Sequence, residues 1–169
     1  NMALPFKKRV MIVEDDQEIR NSFTLIVNSS QKFTVINAYG NCEDAISALQ
    51  RDKPEIVLMD IELPGMNGIQ CTKIIKDKSP HTDIIMVTVY EDSELVFEAL
   101  KAGASGYITK SANYMELLSA LEEIVKGGAP MSSRTVVPLL PQSTGTRGAR
   151  RPRSPAPSMV HTSASVPTL

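Results

Sequence analysis

Apolar and polar positions alternate in blocks along the first 128 residues of the chain. Five short apolar runs rich in Val and Ile predict β-strands at residues 9–14, 33–38, 55–60, 83–88 and 106–109. Between the runs, apolar side chains recur three or four residues apart, as Ile19, Phe23 and Ile26 do, and this spacing predicts helices. The pattern therefore predicts five successive strand-then-helix units.

Such a succession predicts an α/β fold, in which a parallel sheet carries helices on both faces. The strands are nearly continuous apolar runs, as expected where both faces of a sheet are covered. In open sheets of this class, ligands bind outside the carboxyl ends of the strands. We therefore expect the functional residues at that edge. For the last helix, either Asn113 or Ser111 is placed to form the N-terminal cap.

Four of the five predicted strands place polar groups at the carboxyl edge. Carboxylates that cluster there need a cation among them, and oxygen ligands without His or Cys favour Mg²⁺, with Mn²⁺ as an alternative. A carboxylate can accept a phosphoryl group, and an ammonium and a hydroxyl can neutralise and bind that group. The carboxylates, the ammonium and the hydroxyl at this edge together fit phosphoryl transfer to Asp60. The edge residues are Glu14, Asp15, Asp16, Asp60, Thr88 and Lys110.

Most of these residues also have a purely structural interpretation. Asp16 is equally well placed to cap the first helix. Thr88 taken alone is an ordinary β-branched strand residue, Lys110 an ordinary solvated lysine, and Tyr107 an ordinary core residue. For Asp60 the structural interpretation is weak, because a carboxylate directly after the apolar run at residues 56–59 needs a reason to be there. The functional interpretation rests on several strand ends delivering compatible groups together.

Four motifs occur in order and carry a family resemblance. They are MIVEDD at residues 11–16, LMDIELPGMNG at 58–68, MVT at 86–88 and GYITK at 106–110. With them, residues 7–128 resemble the response-regulator receiver family, the CheY-like domains of two-component signalling. The resemblance implies a five-stranded parallel sheet in the order 2-1-3-4-5.

The resemblance also implies a role for each matching residue. Asp60 is the expected phosphoacceptor. Asp15 and Asp60 are expected to bind Mg²⁺ directly together with the backbone carbonyl of Glu62, and Glu14 is expected to act through a water molecule. Asp16 lies just beyond this acidic pair.

Two further roles concern the bound phosphoryl group. Thr88 and Lys110 are expected to stabilise it. Thr88 and Tyr107 are expected to switch on phosphorylation, when Thr88 moves towards the phosphoryl group and Tyr107 rotates inward. The outcome is a change at the surface of the fourth helix, fifth strand and fifth helix.

The expected partners follow from the same resemblance. The donor is a phosphohistidine of a histidine kinase, since His81 and His161 of this chain have no place at the acidic pocket. Phosphorylation is expected to promote homodimerisation. The segment at residues 102–107 is similar to the subgroup with a LuxR-type DNA-binding output domain, which implies control of transcription by the full-length protein. DNA would be bound only through that domain, which is not visible here.

Three alternatives differ in function class. A stand-alone receiver would act through protein contacts only. An aspartyl-phosphate hydrolase shares the Asp-x-acid spacing of Asp60 and Glu62, but its nucleophile normally ends the first strand. Such a hydrolase would turn over a phosphomonoester. A receiver is not an enzyme, and we expect only slow self-dephosphorylation from it. A nucleotide- or flavin-binding module would need a Gly-rich loop after the first strand, where Glu14 and Asp15 stand instead.

The last forty residues are a different kind of polypeptide. Residues 131–169 contain five Arg and no Lys, Asp or Glu, so this segment carries +5 and the rest −6 of the net −1. Six of the eleven Pro also lie there, which excludes long helices. We therefore interpret residues 129–169 as the start of a linker and a disordered tail, whether vector-encoded, frame-shifted or natural. The basic run at 147–153 lacks the aromatic residues of specific nucleic-acid binding.

The two cysteines and the hydropathy of the chain indicate the cellular compartment of the protein. Cys42 and Cys71 are far apart in sequence and lack metal-ligand spacing, so we expect reduced thiols in a cytoplasmic protein. No apolar run approaches the roughly 20 residues that span a bilayer, and we expect no secretory signal, because residues 1–8 lack a long apolar stretch. We expect no contact with a membrane.

Overall fold

The strands form one parallel sheet. The computed structural model of the chain describes residues 6–89 and 91–129. The strand order is β2-β1-β3-β4-β5, so the predicted order 2-1-3-4-5 is confirmed. The strands are β1 Lys8–Val13, β2 Phe33–Tyr39, β3 Ile56–Met59, β4 Asp83–Thr88 and β5 Gly106–Thr109.

A helix follows each strand and begins at the carboxyl edge of the sheet. Each helix starts after an Asp or Asn whose side chain accepts hydrogen bonds from backbone N–H groups of the first turn, which would otherwise have no partner. The five caps are Asp16, Asn41, Asn67, Asp92 and Asn113. The helices are α1 Gln17–Asn28, α2 Cys42–Asp52, α3 Gly68–Lys78, α4 Ser93–Lys101 and α5 Tyr114–Val125.

The sheet separates two apolar cores. Because side chains alternate along a strand, Val10 and Ile12 of β1 face one side while Met11 and Val13 face the other. Helices α1 and α5 cover the first side, and α2, α3 and α4 cover the second. Each fully buried Val, Leu or Ile contributes roughly 1.5–3 kcal/mol relative to an exposed one. These buried strand side chains hold the carboxyl ends of the strands in one row.

The caps decide where the helices begin. Helix α2 begins at Cys42, because Asn41 accepts a hydrogen bond from the Asp44 amide. Asn113, not Ser111, caps α5. Within the described residues, no helix is long and apolar enough to cross a membrane.

The prediction that the two cysteines are reduced thiols is wrong for this structure. Cys42 and Cys71 form a disulfide between the first turn of α2 and α3, with their Cα atoms 5.8 Å apart. Their separation of 29 residues hid this proximity, which arises because α2 and α3 pack side by side on one face of the sheet. Most of the predicted tail, including Arg134, the basic run at 147–153 and His161, lies outside the described residues.

Candidate metal and phosphoacceptor site

Two carboxylates lie side by side at the ends of neighbouring strands. Backbone hydrogen bonds extend the sheet by one residue beyond each strand, from Glu14 N to Tyr39 O at 2.9 Å and from Asp60 N to Val13 O at 3.0 Å. Both side chains are nearly inaccessible, with 1% of Glu14 and 4% of Asp60 exposed. Burying a carboxylate costs free energy unless a cation or hydrogen-bond donors compensate its charge. The groups around Glu14 and Asp60 therefore indicate what these two carboxylates do.

Lys110 joins the two carboxylates. Its Nζ atom lies 2.8 Å from Glu14 Oε1 and 3.0 Å from Asp60 Oδ2. The Lys110 backbone N–H donates to Thr88 O at 2.8 Å, which holds the residue beside the end of β4. Burial disfavours the charged ammonium, but the hydrogen bonds to Glu14 and Asp60 outweigh that effect, and the pKa of Lys110 lies above its ordinary value. The predicted meeting of Glu14, Asp60 and Lys110 is thus present in the structure.

The donor set of the site fits a hard divalent cation. Carboxylate oxygens of Glu14, Asp15 and Asp60 all lie within 4.8 Å of one another. Among the described residues, Glu14 Oε2 is a buried oxygen with no hydrogen-bond partner. Burial, together with the neighbouring Asp60, raises the pKa of Glu14 to about 8, although Lys110 opposes the shift. A cation would relieve both the repulsion and the orphaned oxygen.

Glu62 lies beside Asp60, and Asp16 caps the first helix. The Glu62 amide lies 3.4 Å from Asp60 Oδ1, and its side chain is exposed. The role of its carbonyl oxygen as a ligand stays a prediction. Asp16 Oδ1 accepts from the amides of Glu18 and Ile19 at 2.9 and 3.1 Å, so it caps α1, as its structural interpretation predicted.

The two predicted switch residues are both fully buried. Thr88 is the last residue of β4, and Tyr107 pairs with Met86 in the neighbouring strand. Burial raises the pKa of the Tyr107 phenol, and the charges of Asp92 and Asp60 add to the shift. Tyr107 therefore already occupies the inward position that we expected only after phosphorylation.

Arg20 is a residue of the site that the sequence reasoning missed. Its Nη1 atom donates to Glu14 O at 2.6 Å and lies 3.4 Å from Asp15 O. One side chain of α1 thus fixes the backbone that carries two of the predicted metal ligands. One signal in the sequence was its position one turn after the cap Asp16.

Gly68 allows α3 to pack directly on the backbone of Asp60. A Cβ atom at Gly68 would lie 1.8 Å from Asp60 O, and the Gly68 amide donates to Ile61 O at 2.8 Å. The loop between these residues is also held from α2, because Met66 N donates to Glu43 Oε1 at 3.2 Å. Sequence reasoning assigned no role to Glu43, because its contact with the loop depends on the placement of α2. His81 lies at the opposite edge, beside Pro54 and Glu55.

Comparison with known proteins agrees with this geometry. The family model "Response regulator receiver domain" matches residues 10–122. An uncharacterized transcriptional regulatory protein of Bacillus subtilis, YxjL, is 31% identical over 137 residues, covering 81% of this chain and 63% of that protein. The oxygen regulatory protein NreC of Staphylococcus haemolyticus is 32% identical over 120 residues, covering 70% of this chain and 55% of NreC. The chain thus spans less than two thirds of the length of either relative.

Solved structures show the same architecture. A LuxR-family two-component response regulator from Aurantimonas sp. SI85-9A1 superposes with a TM-score of 0.71 at 30% identity, covering 76% of this chain and 91% of that one. The isolated receiver domain of RcsB from Salmonella enterica serovar Typhimurium shares the fold alone, with a TM-score of 0.72 at 20% identity over 77% of this chain and 96% of that one. These similarities include a transcriptional regulatory protein and a LuxR-family two-component response regulator, and the chain belongs to the response regulator receiver family.

Proposed function

We propose that Asp60 is the phosphoacceptor of this receiver domain and takes its phosphoryl group from a phosphohistidine of a partner histidine kinase. The observation that carries the proposal is the ammonium of Lys110, which lies within 3.0 Å of both Glu14 and Asp60 in a buried acidic site. An ammonium so placed neutralises charge on the acceptor and on the incoming phosphoryl oxygens. The proposed domain covers residues 7–128.

The chemical step is a displacement at phosphorus. An Asp60 carboxylate oxygen forms the new P–O bond while the P–N bond of the donor phosphohistidine breaks, and the donor imidazole leaves with the electron pair and takes up a proton. Asp15, Asp60 and the Glu62 carbonyl would hold Mg²⁺, or Mn²⁺ in its place, with Glu14 acting through water. The cation supplies charge neutralisation at the phosphoryl oxygens. We infer a signalling receiver with no enzymatic activity beyond slow self-dephosphorylation, in keeping with the family.

Phosphorylation would then change the surface around α4, β5 and α5. We propose that the Thr88 hydroxyl binds the phosphoryl group and that the packing of Tyr107 changes with it. Because Tyr107 is already inward here, the change is a stabilisation of this position relative to an outward one. The exposed side chains of Phe97, Tyr114 and Met115 lie on α4 and α5, and they offer apolar surface for a phosphorylation-dependent homodimer. In the full-length protein this dimer would control transcription in the cytoplasm through a DNA-binding output domain.

A mass measurement tests the acceptor. The protein is incubated with acetyl phosphate and Mg²⁺, and its intact mass is compared with that of Asp60→Ala and of Asp77→Ala, a control on the exposed side of α3. We expect one labile phosphate adduct in the parent and in Asp77→Ala, none in Asp60→Ala, and none when EDTA is added first. An adduct on Asp60→Ala, or one that forms in EDTA, would contradict the proposal.

A second variant tests the switch. Thr88→Ala should still accept phosphate on Asp60 but should lose the phosphorylation-dependent changes in amide chemical shifts on α4 and β5. Unchanged shifts of Thr88→Ala relative to the phosphorylated parent would show that the hydroxyl does not transmit the signal.

A further inference from the structure

The disulfide lies where the two helices that hold the acceptor loop meet. Cys42 is the first residue of α2, and Cys71 lies in the first turn of α3. Both side chains are fully buried in the core that also contains Met59 and Tyr107. The bond therefore connects the starts of two neighbouring helices directly beneath the carboxyl edge.

The start of α2 contacts the tip of the loop between β3 and α3. Glu43 Oε1 accepts a hydrogen bond from Met66 N at 3.2 Å, and Cys42 Sγ lies 3.5 Å from Met66 Sδ. Gly65 has φ +74°, and a Cβ atom there would lie 2.9 Å from Glu43 Oε1. The loop tip thus packs closely against the helix end that Cys42 anchors.

The start of α3 fixes the other end of the same loop. The Gly68 backbone packs on Asp60 O, its amide donates to Ile61 O, and its carbonyl accepts from Thr72 Oγ1 at 2.8 Å. Cys71 N donates to Asn67 O at 3.0 Å. The disulfide therefore joins the two supports between which residues 60–68, with Asp60 and Glu62, are held.

We propose that the Cys42–Cys71 pair is a thiol–disulfide modification site that sets the rigidity of the acceptor loop. Disulfides in cytoplasmic proteins are usually transient and redox-sensing rather than permanent, and the cytoplasm is the compartment proposed for this chain. When local opening of the first turns of α2 and α3 exposes the thiols, oxidation occurs by exchange with a low-molecular-weight disulfide: two protein thiols become one disulfide, and the reagent leaves as two thiols. Reduction by a dithiol reverses this, with the dithiol leaving as a cyclic disulfide.

The direction of the effect follows from the contacts. The disulfide holds the start of α2 against the loop, so the oxidised form keeps the Glu43–Met66 hydrogen bond. Reduction replaces a covalent bond by a longer non-bonded contact between two sulfur atoms in a closely packed core, which pushes the two helix starts apart. The Met66 amide is then hydrogen-bonded to Glu43 for a smaller fraction of the time. The loop that carries Glu62 becomes less ordered, and Mg²⁺ binding, which rests on the proposed function, becomes weaker.

The first test needs neither metal nor phosphate. Hydrogen exchange of the Met66 amide is measured by NMR in the full chain after treatment with oxidised glutathione and again after reduction with a phosphine. We expect about fivefold faster exchange in the reduced protein, the lower end of common coupling between sites. The Leu121 amide in α5 should be unchanged, and Cys42→Ala/Cys71→Ala should be insensitive to either reagent. Equal Met66 rates in the two forms of the parent would overturn the proposal.

The second test separates this inference from the proposed function. Calorimetric titration with Mg²⁺ should show about fivefold weaker binding to the reduced parent and no redox dependence in the double variant. Equal affinities would overturn the link to the metal site. Two thiols that alkylate in urea after the folded protein has been treated with oxidised glutathione would overturn the site itself. If acetyl phosphate labels Asp60 in neither form, the proposed function fails, while the Met66 exchange rates still decide this inference.

Discussion

Two glutamates occupy opposite ends of the central strands, and their environments differ in exposure and in the charges around them. Glu14 follows β1 at the carboxyl edge, and its side chain is 2% exposed. Glu55 precedes β3 at the amino edge, and its side chain is 35% exposed. Burial raises the pKa of Glu14 to about 8. Burial also acts on Glu55, but a hydrogen bond from the Arg9 amide and the charge of Lys8 hold its pKa below the ordinary value.

The difference separates structural from functional carboxylates. Glu55 forms ion pairs with Lys8 and Arg9. Its charge therefore makes a small contribution to the free energy of unfolding, as is usual for surface ion pairs. Glu14 keeps an oxygen without a partner and shares one lysine with Asp60, so its charge opposes folding until a cation binds. A buried carboxylate oxygen that the fold leaves unsatisfied points to a functional site.

The largest expected effect comes from filling space at the carboxyl edge. Gly68→Ala places a methyl group 1.8 Å from the backbone oxygen of Asp60, which cannot give way as a flexible side chain would. We expect the free energy of unfolding to fall by about 3 kcal/mol in urea denaturation. In the control Gly40→Ala, the nearest atom is Nη1 of the Arg20 side chain at 3.1 Å, which needs to shift by only a few tenths of an ångström, so the loss should stay below about 1 kcal/mol. Similar losses for both would mean that α3 can shift.

The second effect is a pH dependence of opposite sign at the two edges. The folded protein keeps a proton on Glu14 up to a pH of about 8, while the unfolded chain releases it near 4.5. The folded state therefore binds more protons between these values, and stability falls as the pH rises. Without Mg²⁺, we expect a loss of about 2 kcal/mol between pH 6 and pH 8. Glu14→Gln should flatten this dependence and bind Mg²⁺ more weakly; a dependence that persists would assign the proton to another group.

The third effect isolates the positioning of the acidic residues. Arg20→Ala removes the guanidinium that holds the carbonyls of Glu14 and Asp15. Residues that orient metal ligands typically contribute 10–100-fold to affinity, so calorimetry should show about tenfold weaker Mg²⁺ binding. Arg51→Ala is the matched control, because Arg51 contacts Asp52 and Tyr39 on α2 and β2 instead. Equal affinities for both variants would show that the acidic loop holds its shape without Arg20.

The smallest effect belongs to the amino edge. Glu55→Gln should lower the free energy of unfolding by only about 0.5 kcal/mol at neutral pH and leave Mg²⁺ binding unchanged. The folded pKa of Glu55 is depressed, so its contribution is present above the unfolded value of 4.5 and disappears as the pH falls through the folded value. Urea denaturation at pH 7 and pH 3 checks this. A larger loss at pH 3 than at pH 7 would reverse the assigned sign.

The sequence predicted the fold and the centre of the site because both depend on local pattern. Period-two and period-3.6 spacing located the elements, and the rule that ligands bind at the carboxyl ends of parallel strands brought Glu14, Asp60 and Lys110 together. Arg20, Glu43 and the bond between Cys42 and Cys71 depend instead on how helices pack beside loops. No periodicity encodes such contacts, so they emerged only from the three-dimensional structure. The inward position of Tyr107 likewise depends on the packing of one particular state.

The five Asp and Asn caps all lie at the same edge of the sheet, and this has a practical consequence for engineering. In every connection from a strand to the following helix, the cap side chain binds amides of that helix's first turn, so we expect an insertion there to disturb the edge that carries the acidic site. The connections from helix to strand lie on the far side, and Gln31 between α1 and β2 is exposed. A peptide tag or a new chain terminus beside Gln31 would let the domain be attached to a sensor surface with its reactive edge open to solution.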